Sequence, residues 1–244
     1  MVEERKTYKS FRDIPPRDYM YFPKGSLEMG KPGHFSTIEV SHLLISIIVL
    51  TVAFSFALTG NTFMGFVVNG LRLEVLPLGL MMSFLGIISG FFVHELSHKW
   101  VAQRYGLWSE FRMYPKGLAL ALLMGLTVPL VFAAPGAVMF MGEARVFEQG
   151  HTATAGPLAN ILLAALCFPL YLFVFFEDPF LSQLVGFICF INAVLGFFNL
   201  LPFSSFDGKT IIQWNPTVWT GLFISAIVLA VLIFRSFTII TLFV

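Results

Sequence analysis

Five apolar runs, each long enough to cross a bilayer, constrain this chain more than any other feature. They are Ile38 to Leu58, Leu76 to about Val101, Thr152 to Phe176, Leu184 to Leu201 and Thr217 to about Val244. A helix rises about 1.5 Å per residue, so about 20 residues match the hydrocarbon thickness of a membrane. Hydrophobic residues make up 57% of the chain and charged residues 12%, about half the charged share of a soluble domain. The 29 Phe residues agree with helices that face lipid on one side and protein on the other. These runs predict an all-α polytopic membrane protein of about five or six transmembrane helices.

The chain divides into four regions. Residues 1–37 form a basic arm with seven Lys or Arg, broken by Pro15-Pro16 and Lys31-Pro32-Gly33. Residues 38–75 hold the first span and its connection, 76–210 a membrane core, and 211–244 a last transmembrane segment. Lys and Arg collect on the cytoplasmic side of a membrane, which makes the arm cytoplasmic in the cell membrane. Lys99, Arg104, Arg112 and Lys116 follow span two, and no Lys or Arg lies between spans three and four. This alternation requires the apolar stretch 117–140, with Pro129 and Pro135-Gly136, to enter and leave on one side. It therefore reads as re-entrant, with a backbone buried in protein or lining a wet cavity. A net charge of +1 gives no reason to expect nucleic acid. Cys167 and Cys189 sit in apolar runs and read as buried thiols.

Ionisable groups within a bilayer are costly and mark function. His94-Glu95-Leu96-Ser97-His98 ends span two. Two imidazoles four residues apart lie on one helix face and can reach one metal ion, while Glu95 is displaced by about a quarter turn. From there Glu95 can hold a metal-bound water and act as its general base. A rival reading pairs Glu95 with Lys99 at an interface. Gly86 and Gly90 extend the histidine stripe in four-residue steps, as close helix packing requires.

A catalytic zinc takes three protein ligands, and the end of span four offers the third. There Pro202 should open the helix, Asp207 is the acid, and Gly208 permits a tight turn beside it. The topology puts His98 and Asp207 at the same membrane face. The bland reading of Asp207 is a helix-end carboxylate neutralised by Lys209. Glu177, a possible alternative ligand, falls on the opposite side.

HExxH in the second core helix, Gly156-Pro157-x-x-Asn160 in the third and Asn199-x-x-Pro202-x-x-x-x-Asp207-Gly208 in the fourth together resemble the site-2 protease family. Members of this family are intramembrane zinc metalloproteases. The resemblance covers about residues 76–210. It implies one Zn2+ per chain on His94, His98 and Asp207, with Glu95 as general base and Asn199 near the metal, steadying the tetrahedral intermediate. It further implies hydrolysis of transmembrane protein or peptide substrates, and a membrane-inserted strand element between the second and third core helices. Ala134 to Gly142 matches that element in position. Phe206 departs from the smaller aliphatic residue usual before the Asp.

Two other classes stand beside this reading. One is a non-catalytic zinc-binding scaffold or regulator of the same fold. The other is a metal-ion transporter, for which an internal repeat would be the sign. His151 reads as interfacial, and His42 and Glu39 as facing head groups or each other. Arg235 reads as snorkelling or paired. Substrate identity and oligomeric state have no signature in the chain.

Overall fold

In a computed structural model the protein is built almost wholly of helices. The structure describes residues 35–131, 135–141, 144–174, 177–203 and 206–243. Nearly all of the basic arm, residues 1–34, lies outside them, as do Ser204, Ser205 and the two ends of the Ala134–Gly142 element.

Helix α1 spans Thr37–Thr59 and is followed by the short α2, Phe63–Asn69. Ser36 caps α1 by accepting the Glu39 N–H, and Gly60, at φ 69°, closes it in the left-handed region that suits glycine. Helix α3, Leu76–Ile87, runs through a π turn at Ile88–Phe92 into α4, Val93–Arg104. Strand β1, Trp108–Met113, and helix α5, Pro115–Thr127, lead to strand β2, Gly136–Met141. Helices α6, Val146–Pro169, and α7, Pro179–Asn199, follow. The short α8, Asp207–Trp214, and the long α9, Pro216–Phe243, complete the chain.

Five helical segments among the described residues are long and apolar enough to cross a membrane: Thr37–Val68, Leu73–Arg104, Val146–Val174, Pro179–Asn199 and Pro216–Ser236. They coincide with the five runs read from the sequence, and the chain is a multi-pass membrane protein. Their outer faces carry large apolar side chains such as Ile48, Leu162, Leu166 and Phe234. That pattern suits a lipid solvent, which charges nothing for exposed Leu or Phe.

Of the stretch 117–140, the described residues 117–131 and 135–140 hold a helix and a strand. Helix α5 is 13 residues long, about 20 Å at 1.5 Å per residue and short of a bilayer core of about 30 Å. It lies against α1, where a Cβ on Gly125 would sit 2.3 Å from the Ala53 carbonyl oxygen. Strand β2 then pairs antiparallel with β1, Trp108 opposite Met141 and Met113 opposite Gly136. Strand β1 was not predicted. Its Glu110 and Arg112 suggest an exposed loop, yet the two form an ion pair at 2.6 Å and both are buried.

Two apolar cores among the described residues hold the elements around the site. Leu43, Ile47 and Leu50 of α1 pack with Ile87, Phe91, Phe111, Leu118 and Ala121. In the second, Ala153, Ile161, Leu200, Ile211 and Ala226 join α6 to α8 and α9. The Gly86–Gly90 stripe faces α7: a Cβ on Gly86 would meet the Phe187 ring at 2.5 Å, and one on Gly90 the Leu195 methyl at 2.8 Å. Close packing is thus the role of these glycines.

Candidate metal centre

The π turn places Gly90 and Phe91 just before the HExxH turn, and an inserted residue of this kind re-aims the helix that follows. His94 and His98 then project from α4 toward α6 and the start of α8. Their Nε2 atoms lie 3.0 Å apart. Asp207 Oδ2 is 3.3 Å from His94 Nε2 and 3.2 Å from His98 Nε2. Both histidines are buried and Asp207 is partly so. Asp207 therefore joins the two histidines in one group able to hold a metal ion.

The second nitrogen of each imidazole is fixed by α6. Asn160 donates from Nδ2 to the Gly90 carbonyl at 2.8 Å and to Asn192 Oδ1 at 2.9 Å. Its Oδ1 must then be the atom 2.6 Å from His94 Nδ1, which donates to it. His98 Nδ1 donates to the Thr152 carbonyl at 2.7 Å. With both Nδ1 atoms carrying protons, the neutral rings turn their Nε2 lone pairs inward. Three lone-pair donors then face one another, an arrangement that repels itself until a cation joins it. Tetrahedral zinc with bonds of about 2.0–2.2 Å places its ligand atoms about 3.3–3.6 Å apart. The observed triangle has edges close to that length, so the donor set and its spacing fit zinc.

The Gly156-Pro157-x-x-Asn160 turn supports this geometry at three points. A Cβ on Gly156 would lie 2.4 Å from His98 Nε2 and 2.7 Å from His94 Nε2, so only glycine lets the α6 backbone lie against the ligand atoms. Pro157 interrupts the helix ladder beside the turn that offers the Thr152 carbonyl. Asn160 is wholly buried. Gly208 has a role other than the one expected. It is helical within α8, and a Cβ there would lie 2.1 Å from the Leu200 carbonyl oxygen. Close approach of α8 to the end of α7 demands the glycine, and no turn does.

Glu95 is buried, and its Oε2 accepts the Val138 N–H of β2 at 3.1 Å. Lys99 is paired with Glu39 of α1, which displaces the reading of Glu95 and Lys99 as an interfacial ion pair. Glu39 accordingly faces neither head groups nor His42. Asn199 ends α7 and donates from Nδ2 to the Leu195 carbonyl at 3.1 Å; no described hydrogen bond joins it to the ligand group. His151 packs on Trp214, ring centres 4.6 Å apart, and hydrogen-bonds Tyr105, away from the ligand group. Glu148 closes the first turn of α6 by accepting the Arg145 N–H at 3.0 Å. Thr152 and Asn192 were missed by the sequence reading. A backbone carbonyl leaves no trace in a sequence, and a lone Asn in an apolar run signals only that some polar partner exists.

The chain is 37% identical over 187 residues, 76% of its length, to a curated Methanocaldococcus jannaschii protein named "Putative zinc metalloprotease MJ0611", of which the match covers 88%. This chain belongs to that metalloprotease family. No family model matches it, and no solved structure does. The metalloprotease carries HExxH on the second of the five spanning-length segments among its described residues.

Proposed function

We propose that the protein is an intramembrane zinc metalloendopeptidase of the site-2 protease type, hydrolysing peptide bonds of transmembrane substrates. The observation that supports it most is the convergence of His94 Nε2, His98 Nε2 and Asp207 Oδ2 on one point, between segments apolar enough to lie in a bilayer. His94, His98 and Asp207 would hold one zinc per chain. Zinc, when bound there, supplies a Lewis acid that brings a water pKa to about 7 and polarises a peptide carbonyl.

The chain's own groups divide the remaining work. Asn160 and Thr152 hold the imidazoles in the tautomers that leave Nε2 free. Glu95 takes a proton from the attacking water and returns it to the amine nitrogen as the peptide C–N bond breaks. Its bond to Val138 fixes one carboxylate oxygen, and the other remains to accept that proton. The Asn199 amide carries a second N–H beyond the one given to Leu195, and this serves as a donor to the substrate oxyanion. A helical substrate must unwind before its carbonyls are accessible, and the re-entrant stretch ending in β2 offers the place where it does so. The amino-terminal arm is cytoplasmic in this reading. Lys99 and Arg112 are buried, so the charge bias after span two rests on the exposed Arg104 and Lys116. A scaffold or a metal-ion transporter needs no buried carboxylate beside the two histidines, and Glu95 favours the protease over both.

The test uses purified protein in lipid bilayers with a panel of single-span substrates. The Glu95→Gln variant should keep its zinc and lose about 100- to 10,000-fold in kcat, and a zinc chelator should abolish cleavage. Stoichiometric zinc with equal cleavage by both proteins would refute Glu95 as the base.

A further inference from the structure

The strand pair is seated by two glutamates at a single register position. Phe111 of β1 lies opposite Val138 of β2. The amide N–H of each points away from the partner strand, as in a non-hydrogen-bonded pair of an antiparallel ladder. The Val138 N–H donates to Glu95 Oε2 at 3.1 Å, and the Phe111 N–H donates to Glu39 Oε1 at 2.9 Å. Each outer edge of the ladder is therefore held by a buried carboxylate, one from α4 and one from α1. The other oxygen of Glu39 receives Lys99 Nζ, one turn beyond Glu95 on α4. Glu39 is 0% exposed and Lys99 3%. A closed circuit results: α4 through Lys99 to Glu39, on to Phe111, across the ladder to Val138, and back to α4 at Glu95.

A second tie fixes the same corner. Ser36 Oγ accepts the Glu39 N–H and donates to Glu110 Oε2 at 2.7 Å, and Glu110 pairs with Arg112. The first turn of α1 is thus bound to β1 through the side chains of Ser36 and Glu39. Two strands alone are marginally stable, so the position of this ladder against α4 is set by what grips it from outside. Buried charges in such a grip are costly unless paired, which gives the geometry little freedom to slip.

We infer that Glu39, with Lys99, is a positioning residue for Glu95. The pair holds β1 at a fixed height along α4, β1 carries β2, and the Val138 N–H thereby sets the direction in which the Glu95 carboxylate faces the ligand group. Helix α1 then belongs to the working centre, although the three motifs that mark it all lie between His94 and Gly208. The inference rests on the proposed role of Glu95, but the mechanical coupling is measurable without catalysis.

The experiment is amide hydrogen exchange on the full zinc-loaded chain in lipid nanodiscs, with zinc content and cleavage kinetics measured in parallel. The Glu39→Leu/Lys99→Met double variant removes both charges together and leaves no isolated buried ion, and Glu39→Gln is the second variant. Exchange over 136–141 should rise by about tenfold in the double variant, although neither altered side chain is bonded to β2, while α6 and α7 stay protected. Zinc stoichiometry should match the unaltered protein. With the carboxylate misdirected, kcat should fall by about 10- to 100-fold and KM move by no more than about twofold. Glu39→Gln, which keeps an acceptor for the Phe111 N–H, should show a smaller change of the same kind. Faster exchange in β1 with unchanged β2 would overturn the inference, as would loss of zinc or loosening of α6 in a folded variant. If the unaltered protein cuts no substrate, the proposed function fails, and the exchange of β2 still decides the coupling.

Discussion

Helix α4 carries two clusters of ionisable groups, and they are built in opposite ways. His94 and His98 meet Asp207 with three lone-pair atoms turned toward one another, none neutralising the next until a cation arrives. Directly after His98, Lys99 meets Glu39, and nearby Arg112 meets Glu110, each charge buried against its opposite. The first cluster is supported from α6 and α7 by an amide network and a backbone carbonyl; the second is supported from α1 and β1. The difference teaches where binding ends and scaffolding begins. Glu39, with one oxygen on Lys99 and the other on the Phe111 N–H, is complete and fixes a shape; the His94, His98 and Asp207 group is incomplete and awaits a cation.

That contrast breaks first at Gly156. Gly156→Ala places a methyl against both Nε2 atoms, so zinc binding should be lost outright while the Lys99–Glu39 side stays folded. Metal analysis together with thermal unfolding checks both halves. Full zinc retention in the folded variant would show that α6 does not press on the ligand atoms.

The next largest effect should come from the paired cluster. Lys99→Met leaves Glu39 buried without its cation, and removing one member of such a pair costs about 3–5 kcal/mol. The folded fraction should still bind zinc as tightly as before. A folding titration in mixed micelles measures the loss, and a fall in zinc affinity without loss of stability would reverse the assignment of the two clusters.

Asn160→Ala is the mildest. It removes the acceptor from His94 Nδ1 and leaves both ligand nitrogens in place, so zinc affinity should fall by about 10- to 100-fold. Competition with a fluorescent chelator reports it directly. An unchanged affinity would mean that the His94 ring is held by packing alone.

Much of this was legible in the chain because it is encoded over short distances. Five apolar runs correspond to five spanning segments, since lipid requires each to satisfy its own backbone within itself. Two histidines four residues apart share a helix face whatever surrounds them. Asp207 was found through the break that Pro202 imposes after α7. The strand β1 was hidden by Glu110 and Arg112, whose charges signal solvent when each is read alone and burial once they are paired. Helix α5 was hidden by apolar composition that looks alike in a crossing and in a short packed helix.

The sequence by itself determined the membrane class, the spans and the HExxH face, because local spacing and transfer free energy suffice for these, and the break at Pro202 pointed to Asp207 as the acid that joins the two histidines. Only the tertiary structure decided which nitrogen of each histidine faces Asp207, why Gly156 and Gly208 admit no side chain, and that Glu39 and Glu95 grip one strand pair. Those depend on atoms brought together across 43 to 74 positions of chain, such as Val138 with Glu95, Phe111 with Glu39 and Ser36 with Glu110, and no local pattern carries that distance.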